Sequence, residues 1–157
     1  MMNITFPALA LFVASVVYSV DVISADYSMD EVRLLLKTTK EFDRKDLSNL
    51  DLSSLNFSGA SFFDANSSGS DLHNSNLSGA DLREANLSGC NLSGAKLNSA
   101  DLAKSNIGGS DLTAADLSGA NLSWANFRGA IMRKAILKKA KLSRVKLGGT
   151  ILEGAIY

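Results

Sequence analysis

The chain has 157 residues and a formal net charge of zero, a size that fits one domain. Its single cysteine excludes an intramolecular disulfide and a cysteine-based zinc site. The charge is unevenly spread, because residues 45–127 carry nine acidic and four basic side chains whereas residues 128–157 carry one acidic and eight basic ones.

The first segment, residues 1–25, is predicted to be a signal peptide. The first twenty residues carry no charged side chain, and residues 8–20 are almost wholly apolar. Small residues precede Asp26, which is compatible with cleavage by signal peptidase, although no Lys or Arg precedes the apolar stretch. That stretch is marginally short for a membrane span. We therefore expect export to the periplasm, the thylakoid lumen or the extracellular space, with anchoring in a membrane by residues 4–23 as the alternative.

A short amphipathic helix is predicted over residues 28–42. Ser28 and Glu31 have the spacing of a capping box. Apolar residues then recur at helical spacing, at Val32, Leu35 and Leu36. We expect residues 26–44 to form an N-terminal capping helix over the apolar end of the segment that follows, with a separate docking helix as the alternative.

A repeat of five residues occupies the rest of the chain, from Lys45 to Tyr157, without insertion or deletion. A large apolar residue stands at every fifth position, with Ser67 as the exception, and a small residue commonly lies two positions before it. In an α-helix, a step of five residues rotates the apolar position by about 140°, so no single face is formed. In a strand, the odd step puts successive apolar residues on opposite faces. The pattern buries one face if each unit is one side of a closed coil, which predicts a solenoid.

The unit reads A-(D/N)-L-x-x, with Ser-Gly common at the last two positions, as at Ser78 and Gly79. Over residues 45–157 the chain resembles the pentapeptide-repeat family. The resemblance implies an all-β solenoid, a right-handed quadrilateral β-helix with twenty residues per coil and with the Leu and Ala positions pointing inward. Residues 45–157 would then form about five to six coils, and residues twenty apart would stand in columns.

The register assigns directions to the reactive side chains. Cys90 occupies a small, inward position and His73 an outward one, so the two are not expected to form a reactive pair. Asp and Asn side chains are expected to bond their own turns rather than to form carboxylate dyads. Trp124 lies in one outward column between Lys104 and Arg144, which favours a local cation–π stack over a ligand site.

The last thirty residues depart from the repeat, since apolar or basic residues replace Asp and Asn. The candidate interface consists of Ile131, Ile136, Ile151, Ile156 and Tyr157. The isoleucines would stack in pairs beside an uncovered last coil, which favours an interface over a simple preference of β-branched residues for strands. The candidate contacts with an anionic surface are Arg128, Arg133, Lys134, Lys138, Lys139, Lys141, Arg144 and Lys146.

These patterns predict a non-enzymatic, exported scaffold or protein-interaction module. The sequence has no phosphate loop, metal-spaced cluster or nucleophile–base set, so no catalytic residue, cofactor or metal is expected. The expected partner is an unidentified protein, and a weak homodimer through the C-terminal end is a further expectation.

Two other functions remain as alternatives. Some pentapeptide-repeat proteins mimic DNA and bind gyrase, which protects it from quinolones, so the resemblance implies gyrase binding as one alternative. The predicted export signal, the basic C-terminal end and the lack of a C-terminal helix or inserted loops in the repeats oppose it. The second alternative function is the binding of an anionic surface through the basic coils. Because the cations fall on all four sides, nucleic acid is not expected, and membrane contact is not favoured.

Overall fold

The computed structural model describes residues 27–157, so the predicted signal peptide and membrane anchor lie outside the described residues. Helix α1 spans Met29–Lys37. The predicted capping box is confirmed: the Ser28 hydroxyl accepts a hydrogen bond from the Glu31 N–H, and the Glu31 carboxylate accepts one from the Ser28 N–H at 2.9 Å. The helix is shorter than the predicted 28–42, because Lys40 adopts a left-handed conformation and Glu41 already bridges to the next coil.

Helix α1 packs on the N-terminal end of the apolar core. Val32 is fully buried, and Phe42 is fully buried beneath it in the same apolar cluster. Partly buried side chains on and around the helix complete this contact: Tyr27, Met29, Leu35 and Leu36. Within residues 27–157, no helix is long and apolar enough to cross a membrane.

The remainder of the described chain is a solenoid whose coils are joined by parallel bridges between residues twenty apart. The bridges run from Glu41 to Ile156 and fall into four columns, which begin at Glu41, Asp46, Asp51 and Asn56. We call these columns the first, second, third and fourth sides. Each bridge is a single residue, and in the described region no strand is longer than one bridge residue, because a turn follows within every repeat.

Each repeat is bonded to the coils before and after it. The Leu92 N–H donates to the Asp111 carbonyl at 2.7 Å, and the Asn91 N–H donates to the Ser70 carbonyl at 3.1 Å. The same pair of bonds recurs along all four sides, so the backbone donors and acceptors of the bridge segments are satisfied between neighbouring coils.

The predicted inward register is confirmed by burial. The large positions from Leu47 to Leu137 are at most 4% exposed, and the small positions from Ala60 to Ala135 are buried as well. Full burial of a Leu side chain contributes about 1.5–3 kcal/mol, so these columns are the main source of stability.

The turns use the Asp and Asn side chains as predicted. The Asn76 Oδ1 accepts a hydrogen bond from the Ser78 N–H at 3.1 Å, and the same bond recurs from repeat to repeat. The last residue of most repeats has a positive φ, which explains the frequent glycine, as at Gly79 with φ 66°. Trp124, with φ 65°, shows that the turn also holds a large side chain in this conformation.

A ladder of asparagine side chains on the second side was not predicted. The side-chain amide of each of Asn66, Asn86, Asn106 and Asn126 donates to the Oδ1 of the residue twenty positions earlier, at 2.9–3.3 Å. Asp46 is the first residue of the ladder, and its carboxylate accepts the hydrogen bond from the Asn66 amide. Because Asp has no side-chain amide, this first position leaves no amide donor unpaired. The ladder therefore adds side-chain bonds between the coils.

Buried serines occupy some of the small positions, and their hydroxyls differ in the hydrogen bonds that they form. The Ser110 hydroxyl donates to the Leu87 carbonyl at 2.6 Å and accepts a bond from the Cys90 N–H at 3.2 Å. Ser70 makes the equivalent pair of bonds two coils earlier. The fully buried hydroxyl of Ser75, by contrast, has no hydrogen-bond partner among residues 27–157.

Substitution of these serines by alanine should change stability in opposite directions. Ser110→Ala should lower the free energy of unfolding by about 1–2 kcal/mol, because it removes two bonds between coils. Ser75→Ala should raise the free energy of unfolding by about 1 kcal/mol, because it removes a hydroxyl that loses its hydrogen bonds to water on folding and forms none with the described residues. Urea unfolding followed by circular dichroism measures both. A loss of stability in Ser75→Ala as large as that in Ser110→Ala would contradict the assigned bonds.

Candidate interface at the C-terminal end

The last coil leaves apolar side chains exposed at the end of the solenoid. Leu142 and Leu147 occupy inward positions, yet they are 41% and 42% exposed, because none of the described residues lies over them. Tyr157 is 67% exposed. Together they border a shallow apolar depression lined by Leu122, Phe127, Met132, Leu137, Leu142, Val145, Leu147, Leu152 and Tyr157.

The structure places the predicted isoleucines beside this end. Ile131 bridges to Ile151 on the third side, and Ile136 bridges to Ile156 on the fourth side. Ile151 and Ile156 are exposed, whereas the two isoleucines below them are partly buried. The pairs lie on different sides, so they flank the depression rather than form one continuous patch.

Leu142 and Leu147 were missed when the interface was predicted. Their signal was their position in the last coil described, because an inward residue of this fold is covered by the coil that follows it.

The backbone at this end has unpaired donors and acceptors. Among the described residues, the N–H groups of Leu142, Leu147 and Leu152 make no backbone hydrogen bond. One coil earlier, the Leu122 N–H donates to the Lys141 carbonyl at 2.9 Å, which shows the bond that is missing at the end. The carbonyls of Ala140, Val145, Thr150 and Ala155 likewise receive no bond from another described residue. The end is therefore an open sheet edge on all four sides.

The eight predicted cations surround the last two coils, two on each side. Arg133 pairs with Glu153 at 3.2 Å, and it is the only one of the eight that forms an ion pair within the described residues. The Arg144 guanidinium instead lies 4.3 Å from the ring centroid of Trp124, which places the predicted cation–π stack on this partner. The C-terminal end thus carries positive charge that the other described residues do not neutralise.

Several cations in the earlier coils, by contrast, have acidic partners, although Lys45 and Lys96 form no ion pair within the described residues. Arg83 contacts Asp81 at 2.6 Å, and Lys104 contacts Glu84 at 2.9 Å. The Phe63 ring, for which no role was predicted, lies between the guanidinium groups of Arg44 and Arg83 on the first side. These contacts engage Arg44, Arg83 and Lys104 on the first side, whereas Lys141 of the same side forms no ion pair within the described residues.

Several titratable side chains of the coils form hydrogen bonds with residues of their own turns, and these bonds shift their pKa values. Hydrogen bonds from Arg83 hold the pKa of Asp81 below its usual value, and those from Ser53 lower the pKa of Asp51. A general acid at neutral pH requires the opposite shift. The described residues contain no group of three or more His, Cys, Asp or Glu side chains placed to hold a metal ion.

The structure separates His73 from Cys90, as predicted. His73 is partly exposed, and its Nδ1 lies 2.9 Å from the Asp71 Oδ1 within its own turn. Cys90 is buried, and its thiol donates to the Ser67 carbonyl at 2.8 Å. Burial raises the pKa of the Cys90 thiol to about 11, so the reactive thiolate is scarce at neutral pH.

The geometry defines a repeat protein whose interior is filled by its own side chains and whose coils have four sides. A family model described as pentapeptide repeats matches residues 46–79, 75–113 and 115–154, with eight copies. The chain therefore belongs to the pentapeptide-repeat family, whose members fold as right-handed quadrilateral β-helices and are generally non-enzymatic structural or interaction proteins.

Solved structures of pentapeptide repeat proteins are similar in fold. Rfr23 from the cyanobacterium Cyanothece 51142 is 23% identical, with a TM-score of 0.62 over 83% of this chain and 99% of that one. A protein from the Arabidopsis thaliana thylakoid lumen is 24% identical, with a TM-score of 0.51 over 73% of this chain and 72% of that one. QnrB1, a plasmid-mediated fluoroquinolone resistance protein, is 17% identical, with a TM-score of 0.42 over 70% and 71% of the two chains. A comparison with curated proteins found no match.

Proposed function

We propose that the chain is a non-enzymatic, exported protein-interaction module that binds a partner protein through the C-terminal end of its solenoid. The observation that carries this proposal is the exposure of Leu142 and Leu147 at inward positions that are buried in the preceding coils. Exposed apolar surface of this kind is a liability in water unless a partner covers it.

The sides of the solenoid are less suited than its C-terminal end to bind a partner, which supports the same assignment. Their short Asp, Asn and Ser side chains are largely used in bonds within their own turns and between coils, as in Ser78 to Asn76 and Asn86 to Asn66. The C-terminal end combines apolar side chains, unpaired backbone groups and unneutralised cations. Because these side chains and backbone groups are free to form new contacts, the end, rather than a side, is the surface best suited to bind a partner.

A capture experiment with matched variants tests this surface. We expect the protein to retain a partner from the exported fraction of its source cells, and Leu142→Glu/Leu147→Glu to lose it. The control Ser78→Glu, on the fourth side, should retain it. The partner is then purified and titrated by calorimetry, where burial of the apolar end should give a negative heat-capacity change. Capture that is equal in all three proteins would overturn the proposal.

A second copy of the chain is the competing occupant of this end. Two copies could cover each other with two-fold symmetry, but their unneutralised cations would repel until salt screens them. Sedimentation of the protein at low and high salt, beside Ile151→Lys/Ile156→Lys, separates the cases. A monomer in both salts is expected if the partner is another protein. A dimer that strengthens with salt and is lost in the variant would identify the second copy instead.

The proposed export rests on residues 1–25, where an uncharged apolar stretch is followed by small residues before Asp26. Expression of the full chain in a bacterial host, followed by fractionation and N-terminal sequencing, tests it. A shorter periplasmic product that begins at Asp26 is expected. Soluble cytoplasmic protein that retains Met1 would contradict export. The gyrase-binding alternative stays a prediction, and cytoplasmic protein would strengthen it.

A further inference from the structure

We propose that the partner contributes an acidic, extended segment that adds to the C-terminal edge as a further layer of the solenoid. This inference rests on the proposed function and specifies the chemistry of the partner. Apolar side chains of the segment would enter the depression over the last coil, its backbone would pair with the open edge, and its carboxylates would face the surrounding cations.

The backbone of the last coil is the first reason. The unpaired Leu142 and Leu147 N–H groups repeat the arrangement of Leu122, which donates to the carbonyl of the following coil at 2.9 Å. The Ala140 carbonyl repeats that of Ala120, which accepts from the Lys141 N–H at 2.9 Å. An extended segment supplies carbonyls and N–H groups at the same spacing, and the addition of a strand to an exposed edge is an established mode of peptide binding.

The apolar depression gives the segment its period. The inward residues of the last coil recur every five positions, at Leu142, Leu147 and Leu152, and each would contact an inward residue of the layer above it. Neighbouring strands of a sheet lie about 4.8 Å apart, which is the distance expected between the bridged coils here. A segment that pairs with the edge at this distance and carries an apolar side chain at every fifth residue would fill the depression while its backbone stays in register.

The charges select an acidic segment. Lys141 and Lys146 occupy bridge positions of the first and second sides, so a bridging residue of the added layer would lie directly over each of them. Lys138 and Lys139 add positive charge on the fourth side, and none of these four forms an ion pair within the described residues. Carboxylates at the bridge positions of the segment would neutralise this charge, whereas a second basic edge would be repelled.

An anionic membrane and a nucleic acid offer negative charge but fit the end less well. Hydrocarbon cannot bond the unpaired backbone groups at Leu142 and Val145, and open sheet edges do not occur in that environment. A phosphate backbone could contact the cations, but it has no apolar side chains for the depression. The apolar, backbone and charge features together therefore favour a protein segment.

The test uses a fluorescent synthetic peptide with four A-D-L-D-S units, titrated with the protein and followed by anisotropy. We expect it to bind at least about tenfold more tightly than a scrambled peptide of the same composition or an A-K-L-K-S peptide, a difference of about 1.4 kcal/mol. Lys141→Glu/Lys146→Glu should weaken binding by about tenfold or more, whereas the exposed control Lys96→Glu should not. Circular dichroism confirms that both variants keep the fold.

Hydrogen exchange decides whether the peptide adds to the edge. Bound peptide should slow exchange at the Leu142, Leu147 and Leu152 N–H groups, and peptide binding without this protection would overturn the inference. Vesicles of phosphatidylglycerol and a DNA duplex are titrated in parallel. Binding to either, with no preference for the periodic acidic peptide, would assign the cations to that surface instead. If peptide binding fails but Leu142→Glu/Leu147→Glu still abolishes partner capture, the end remains the interface and only the added segment is disproved.

Discussion

Leu92→Asp should lower the free energy of unfolding by about 3–5 kcal/mol, among the largest effects of a single substitution in this protein. Leu92 is fully buried, in the inward column that also contains Leu72 and Leu112. A carboxylate at this position would be surrounded by apolar side chains of the adjacent coils and would have neither a cation nor water to stabilise its charge. Urea unfolding followed by circular dichroism gives the difference.

Ser93→Asp is the matched control, since it introduces the same carboxylate one residue later. Ser93 is partly exposed and lies on the outer surface of the third side, so its substitution should change the free energy of unfolding by less than about 0.5 kcal/mol. If Leu92→Asp yields no folded protein, Leu92→Ala provides the comparison with an expected loss of about 2–5 kcal/mol. Equal effects at positions 92 and 93 would show that the inward register is wrong.

The period of five made the fold predictable because it is a constraint on the whole chain. One inserted residue would turn every following Leu away from the core, so an unbroken repeat fixes the register of every coil at once. With the twenty-residue coil and the inward positions that the family resemblance implies, the alignment of Ile131 with Ile151 and the opposite directions of His73 and Cys90 follow from counting. The capping box at Ser28 was predictable for a different reason, since it depends on residues three positions apart.

The bonds between coils were harder to predict because they depend on the residue twenty positions away and on the rotamer. Ser75 and Ser110 occupy equivalent positions in their repeats, yet only the hydroxyl of Ser110 reaches partners in the preceding coil. The asparagine ladder likewise depends on neighbours in a column. The end of helix α1 at Lys37 was missed because the helical pattern overlaps the first bridge residue, where bonding to the next coil replaces helical bonding.

The candidate interface was predicted only in part for a physical reason. Outward isoleucines are visible as departures from the repeat, but Leu142 and Leu147 conform to it and become exposed through their position in the last coil. Exposure at the end of a solenoid depends on what lies next to a residue in space. The eight C-terminal cations were counted from the sequence, whereas the distances were needed to show that, among the described residues, only Arg133 of these eight has an acidic partner.

Phe62→Ala should cost about 3–5 kcal/mol, because Phe62 belongs to an aromatic cluster at the N-terminal end of the core. Its ring stacks on Phe42 with centroids 4.8 Å apart and meets the edge of Phe57 at 5.2 Å, and Phe62 is only 2% exposed. Phe42 belongs to the same buried cluster as Val32 of helix α1, so the cavity should also loosen the helix. Urea unfolding measures the loss, and faster hydrogen exchange in α1 should accompany it.

Phe63→Ala is the control, because it removes the same side chain from the neighbouring position. The Phe63 ring points outward and lies 6.0 Å from the Arg44 guanidinium and 5.5 Å from that of Arg83. Such exposed cation–π contacts contribute about 0.5–1 kcal/mol each, so the loss should stay near 1–2 kcal/mol and exchange in α1 should not change. A cost for Phe63→Ala as large as that for Phe62→Ala would mean that the outer aromatic contacts, rather than the inner cluster, secure the first coils. A loss at Phe62 that leaves α1 unaffected would instead show that the helix is held independently of the aromatic cluster, through its own contacts at Val32.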